Sequence, residues 1–169
     1  VGEVGYFASK YDSQFIYFVW DFVADDRIFK ASATITYPDQ VGLFFDISSD
    51  RTSELREDDY KILVMHEAEG VTTYVRKGSG SDWSSLQKTT ELTGRSQKTV
   101  SPNSDKAHLV YELSVPMTFA DISSHLQDGV GFATFIYDGN SNAEADLPSN
   151  LQNKSPSTWT TLNFSSVPI

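Results

Sequence analysis

Cysteine is absent from the 169 residues. That excludes iron–sulfur clusters, c-type haem and thiolate zinc sites, and it leaves no disulfide pattern from which a compartment follows. Basic residues are scarce: 13 Lys and Arg stand against 23 Asp and Glu, for a net charge of −10. A nucleic-acid surface needs cations to neutralise phosphates, and an anionic membrane surface needs them too, so neither is an expected partner. No apolar run is long enough to span a bilayer, so no membrane insertion is expected. The chain shows no signal peptide and opens on Val1, which reads as a processed or trimmed start. His66, His108 and His125 are far apart and form no HxH or HExxH pair, and no GxSxG elbow occurs. No pair of carboxylates is singled out for glycoside hydrolysis. We therefore assign no catalytic residue and expect a binding role rather than an enzyme.

Aromatic residues are plentiful, with three Trp, eight Tyr and eleven Phe. They suit pleated, half-buried surfaces and supply stacking faces for ligands. Period-2 patterning predicts strands near Val4–Ala8, Gln14–Phe22, Ile28–Thr36, Val41–Ile47, Tyr60–His66, Val71–Arg76, His108–Val115, Gly129–Tyr137 and Thr158–Phe164. Turn residues punctuate them at Tyr37-Pro38-Asp39, Gly78–Asp82, Ser101-Pro102-Asn103 and Asp138-Gly139-Asn140. About nine short strands with polar turns predict an all-β, antiparallel two-sheet sandwich in one domain, residues 1–169. Phe119–Leu126 is expected as one short helical turn. Gly78–Asp105 and Asp138–Ser157 read as long loops. In Gln14–Phe22, Phe15, Tyr17 and Val19 share one face, and Ile16, Phe18, Trp20 and Phe22 the other. One face meets the core; a loop, a ligand or another chain is expected over the other.

Side-chain oxygens recur at every second residue through Asp138, Asn140, Asn142, Glu144 and Asp146. That spacing has two readings: a loop that wraps a calcium ion, and a solvated Asx-rich loop. It is not an EF-hand, since Ala143 takes the place of the turn Gly. A second acidic group runs Asp46, Asp50, Glu54, Glu57, Asp58, Asp59, and Asp21, Asp25 and Asp26 form a third. We take Asp138, Asn140, Asn142, Glu144, Asp46 and Asp59 as the candidate metal ligands. Trp83, Trp20 and Trp159 are the candidate sugar-binding residues, since an indole face packs against the C–H face of a sugar ring. Trp83 ranks first because it lies in a Ser/Gly-rich loop. Met65 is a candidate axial ligand of b-type haem, set against its ordinary role as core filler; its neighbour His66 must point to the opposite face. Asn153 and Asn163 each open an N-glycosylation sequon.

Several segments, in order, resemble family 9 carbohydrate-binding modules and their DOMON-like relatives. Tyr11–Asp21 resembles their early strand. Gly42–Asp46 with Asp58–Ile62 resembles the next pair, and Val110–Pro116 the Glu-to-Ile-Pro segment. Val130-Gly131-Phe132 leading to Tyr137-Asp138, then Trp159–Phe164, resemble the last two. The resemblance implies an immunoglobulin-like, jelly-roll-like antiparallel sandwich and an extracellular or cell-surface location. It implies glycan binding, often with structural calcium, and in the ethylbenzene-dehydrogenase-like haem subunits b-type haem, with Met65 at the methionine position. The usual opening Asp-Gly-x-x-x-x-x-Trp strand is missing, and Val1–Ser9 stands in its place. That segment is expected to be an exchanged or truncated first strand. The rival partner is therefore another copy of the chain, in a surface filament or layer assembled by strand complementation.

Overall fold

The computed structural model describes residues 5–32 and 37–164. Its strands are β1 (Tyr6–Tyr11), β2 (Phe15–Phe22), β3 (Gln40–Asp46), β4 (Asp59–Glu67), β5 (Gly70–Lys77), β6 (Gln87–Lys88), β7 (Thr93–Ser101), β8 (Ser104–Pro116), β9 (Val130–Asp138), β10 (Ala143–Leu147) and β11 (Thr160–Leu162). They build two antiparallel sheets, a four-stranded one in the order β1-β2-β8-β7 and a seven-stranded one in the order β10-β9-β3-β4-β5-β6, with β11 also on β9. No described helix is long and apolar enough to cross a membrane.

Strand alternation decides what lies between the sheets. Ile16, Phe18, Trp20 and Phe22 of β2 point inward beside Leu109, Tyr111, Leu113 and Val115 of β8. Opposite them sit Val41, Leu43 and Phe45 of β3 and Phe132 and Ile136 of β9. Phe18 stacks on Phe132 with ring centroids 5.9 Å apart. The other face of β2 carries Phe15, Tyr17 and Val19, which line an open groove of about 830 Å³ on the outside of the four-stranded sheet.

Trp20 is 1% exposed, in the middle of this core. It has no face to offer a sugar, so the sequence assignment of Trp20 to ligand binding is corrected. Its indole N–H instead donates to Thr134 Oγ1 at 2.7 Å, and that hydroxyl donates to the Gly42 carbonyl at 2.7 Å. The chain of two bonds ties β2 to β9 and β3, across the sandwich.

Four segments differ from expectation. Tyr6–Ser9, expected as an exchanged or truncated strand, pair with β2 within the chain, Phe7 opposite Trp20; Val1–Val4 and Ser165–Ile169 lie outside the described residues. Ile28–Ser32 is irregular rather than strand, and Ala33–Thr36 fall outside the described residues. Its backbone bonds are mixed: Phe29 N–H donates to the Asp39 carboxylate, and Ala31 N–H to the His66 carbonyl at 2.9 Å. The two long loops contain β7 and β10. β7 reads as a loop because Thr, Ser, Gln and Lys fill it, yet it completes a hairpin with β8, Arg95 opposite Glu112. Small inward residues suffice there: Gly94 lies against Val64, and Ser96 Oγ sits 3.0 Å from His66 Nε2. Phe119–His125 forms a kinked 3₁₀ segment.

Asp46 and Asp59 face each other at the end of the β3–β4 pair. They do not gather a third ligand among the described residues, as the metal reading of the sequence required. Each closes a turn: Asp46 accepts the amides of Asp50 (3.2 Å) and Arg51 (2.9 Å), and Asp59 accepts that of Arg56 (2.5 Å). Burial first, and the charges of Asp46, Asp58 and Asp50 next, push Asp59 up to about 7.

Two outcomes follow. Thr134→Val strands the buried Trp20 N–H, which costs about 1–3 kcal/mol; urea denaturation is expected to show a lower midpoint with an unchanged slope. Asp59 has a folded pKa above its unfolded value, so its charged form is disfavoured in the fold. Stability is therefore expected to fall as pH rises from about 4 to about 7. Thermal melts in chelator are expected to show a flatter profile over that window for Asp59→Asn, which keeps an acceptor for Arg56 N–H; a profile as steep as wild type contradicts the assignment.

Candidate functional site

The outer face of the seven-stranded sheet is not a plain solvent face. Its residues form three rows across the strands. The first runs Glu144, Tyr137, Gln40, Met65. The second runs Asp146, Phe135, Gly42, Leu63, Tyr74. The third runs Ala133, Phe44, Lys61, Arg76. Gly42 makes the second row possible, because a Cβ there would overlap the Phe135 ring. The ring can thus lie flat across β3.

A second apolar cluster covers one end of these rows: Phe44, Leu55, Leu63, Trp83, Ala133, Phe135 and Trp159. Trp83 and Trp159 lie parallel, 4° between planes and 6.4 Å between centroids, and Trp159 meets Phe44 at 5.3 Å. They are 6% and 2% exposed, so neither presents an open indole face, contrary to the sequence reading. Their contribution is to shape. Trp83 N–H donates to the Asn153 carbonyl and Trp159 N–H to that of Gln152, both at 3.0 Å. These bonds hold the segment between β10 and β11 against the sheet.

What remains open is a cleft of about 510 Å³ bounded by the rows and that segment. Its aromatic wall is Tyr37 and Tyr137, edge to face at 6.3 Å, with Tyr37 65% exposed. Tyr137 O–H donates to Asn142 Oδ1 at 2.8 Å, which fixes the ring. Lys61 Nζ lies over the rings of Phe44 and Phe135, 5.0 and 5.2 Å from their centroids. Burial first, then the Arg76 charge, lowers Lys61 to about 8. Arg76 is held by the Ser84 carbonyl (2.6 Å) and the Trp83 carbonyl (3.2 Å). Opposite stand Glu144, exposed at the rim, and Asp146, half-buried, both raised, chiefly by partial desolvation; among the described residues Asp146 Oδ1 is without a hydrogen-bond partner. Donors, acceptors and an aromatic wall thus converge on one concavity, the composition of a small polar-ligand site. Met65 is part of the wall, while His66 points to the opposite face toward Ser96 and Tyr111.

Of the two readings of the acidic loop, the described contacts are those of the Asx-rich one. Asp138 Oδ1 accepts the amides of Asn140 (2.7 Å) and Ser141 (3.2 Å), an Asx turn. Asn140, Asn142 and Glu144 are exposed, Asn142 is engaged by Tyr137, and among the described residues Glu144 joins no cluster of carboxylates that could hold a metal. Asp138 turns inward instead. One carboxylate oxygen from each of Asp25, Asp39 and Asp138 lies within 4.8 Å of the others, and all three residues are buried. Burial and then the charges of Asp39 and Asp138 push Asp25 up to about 7, and among the described residues Asp25 Oδ2 has no hydrogen-bond partner. Three carboxylates with a buried orphan oxygen are a donor set for a hard cation. The third acidic group is divided: Asp21 pairs with His108 and Asn103, and Asp26 is exposed beside Arg27.

The sequence reading missed Tyr37, Tyr137, Lys61 and Arg76. The usable signal was strand parity: Lys61, Leu63 and Met65 alternate with inward Ile62 and Val64. Of the two sequon asparagines, Asn153 borders the cleft and Asn163 is exposed.

No protein-family model and no curated protein matches the chain. Among the solved structures that do are two of a family 9 carbohydrate-binding module from Caldicellulosiruptor kristjanssonii. The one in complex with glucose superposes with a TM-score of 0.60 at 15% identity, over 94% of this chain and 75% of that one. The one in complex with cellotriose gives 0.59 at 17%, over 96% and 78%. The chain therefore has the β-sandwich fold of the family 9 carbohydrate-binding modules.

Proposed function

We propose that the protein is a non-catalytic carbohydrate-binding module of the cell exterior, and that its glycan lies in the cleft on the outer face of the seven-stranded sheet. One observation carries the reading: an aromatic wall and fixed hydrogen-bonding groups of both polarities share that single concavity. Sugars need this combination, with C–H faces to pack on rings and hydroxyls that both donate and accept. The shared fold with modules crystallised with glucose and cellotriose supports it. Tyr137 and Tyr37 serve as the packing wall. Lys61 and Asn153 donate, and Glu144 and Asp146 accept. Trp83 and Trp159 act as the buttress behind Phe44.

The carboxyl pair in the cleft supports a binding rather than a hydrolytic role. Glu144 and Asp146 sit two residues apart on β10 and interact directly with one another. Hydrolysis of a glycosidic bond needs two carboxyl groups flanking it, about 5–10 Å apart with the bond between them. Glu144 and Asp146 project from the same face of β10, on one side of the cleft, rather than from opposite walls that flank a bound sugar.

Calorimetric titration with glucose and cellotriose tests the assignment. Binding of at least one sugar is expected, with Tyr137→Ala weakening it tenfold or more, about 1.4 kcal/mol. Tyr17→Ala, in the groove on the other sheet, is expected to leave it within twofold. No binding of either sugar, with or without calcium, overturns the reading. Loss with Tyr17→Ala but not Tyr137→Ala places the glycan on the wrong sheet.

A further inference from the structure

We propose that the cleft selects glycans that carry a carboxylate, that is, a hexuronic acid, with the anion seated at Lys61 and Arg76. The inference rests on the carbohydrate reading and names the sugar class within it.

Lys61 on β4 and Arg76 on β5 are cross-strand partners, and both line the cleft. Like charges directly opposite in an antiparallel pair destabilise the sheet. Acidic side chains outnumber basic ones, 23 to 13, so a carboxylate is the neighbour to expect beside either cation. Yet among the described residues neither forms an ion pair. Other cations do: Arg56 pairs with Asp50 at 2.8 Å, and Lys154, whose charge also reaches Lys61, pairs with Asp82 at 2.9 Å.

Both groups are held in place with their charge intact. Lys61 Nζ lies over the Phe44 and Phe135 rings, and rings attract a cation without cancelling its charge. Arg76 donates through Nε to the Ser84 carbonyl and through Nη2 to the Trp83 carbonyl. Those acceptors are neutral, and the two bonds leave Nη1 for a ligand. The repulsion is visible at Lys61, which burial and then the Arg76 charge lower to about 8. Both residues are half-buried, where an anion pairs with a cation more strongly than it does in open water.

The carboxyl groups of the cleft stand elsewhere. Glu144 and Asp146 are on β10, at the edge of the sheet, with β9 and β3 between them and β4. The charge of Glu144 acts on Lys61, but the two form no ion pair. The acids already interact with one another, and the cations have no anionic neighbour of that kind. That asymmetry favours an anionic sugar over a cationic one. It also sets the orientation: the sugar carboxylate points to the β4–β5 side, and its hydroxyls donate to Asp146 and Glu144.

Calorimetric titration of the full chain compares glucuronic acid with glucose, which has a hydroxymethyl group in place of the carboxylate, and with glucosamine, which carries the opposite charge. At about pH 6 both the glucuronate carboxylate and Lys61 are charged. Glucuronate is expected to bind about tenfold tighter than glucose, the gain from one charge-assisted hydrogen bond. Glucosamine is expected to bind more weakly than glucose. Lys61→Met keeps an unbranched stem over the two rings and removes the charge. It is expected to bring the ratio of glucuronate to glucose affinity to within about twofold of one; an unchanged ratio overturns the placement at Lys61. Should Lys61→Met not fold, salt decides on wild type. Between about 50 and about 500 mM sodium chloride, glucuronate binding is expected to weaken about threefold or more while glucose binding holds; equal responses overturn the ion pairing. Acetate that binds as tightly as glucuronate overturns recognition of a sugar acid. Glucose that binds as tightly as glucuronate, or glucosamine that binds tightest, overturns the selection and leaves the carbohydrate reading standing. Binding of none of these sugars, nor of cellotriose, overturns both.

Discussion

Strand β3 is buried on both faces, and most of the molecule's organisation depends on that. A strand in an antiparallel sandwich needs one apolar face; β3 has two, because Val41, Leu43 and Phe45 pack between the sheets while Phe44 packs under the tryptophan cluster. The second burial is what makes the outer face of the seven-stranded sheet a built surface. Trp83 and Trp159 cover Phe44, pin the segment between β10 and β11, and leave a concavity beside it. Gly42 contributes from the middle of the same strand. Its missing side chain admits the Phe135 ring, and its carbonyl receives the Thr134 hydroxyl that also holds Trp20. The core and the cleft floor are thus two sides of one strand.

Acidic groups divide by what their surroundings offer. At the β3–β4 end, Asp46 and Asp59 meet backbone amides that would otherwise be unpaired at a tight turn, so their burial serves the turn. At the opposite end Asp25, Asp39 and Asp138 also accept amides, yet among the described residues one buried oxygen remains without a partner and no ion pair neutralises the group. Uncompensated charge is what separates this group from the turn anchors. Asp21, close in sequence to Asp25, joins neither group: His108 and Asn103 meet it and tie the β7–β8 hairpin to β2.

The strands with strong alternation were legible. β2, β3, β4, β5, β8 and β9 follow the expected segments within a few residues, and they carry the core. β7 and β10 were not, because their inward positions hold Gly94, Ser96 and Ala145, which carry no hydrophobic signal; their place comes from pairing with β8 and β9. The tryptophans show where composition misleads. Trp83 lies in a Ser/Gly-rich stretch that reads as exposed, but Leu55, Phe44 and Trp159 converge on it from distant positions. Period-2 counting put Asp138 at the head of a self-contained loop, whereas its neighbours in space, Asp25 and Asp39, lie a hundred residues away on the other side of β3. Site residues drawn from separate strands leave no local pattern; only register brings Tyr137 beside Gln40.

The central claim is that ligand is read by the outer face of the seven-stranded sheet. Chemical-shift mapping of the isotopically labelled chain with cellotriose tests it directly. The account predicts that backbone amides around Tyr137, Gln40, Lys61 and Asp146 move on titration while those around Tyr17 and Glu112 on the other sheet stay in place. Shifts confined to the four-stranded sheet, or none at millimolar sugar, would contradict it.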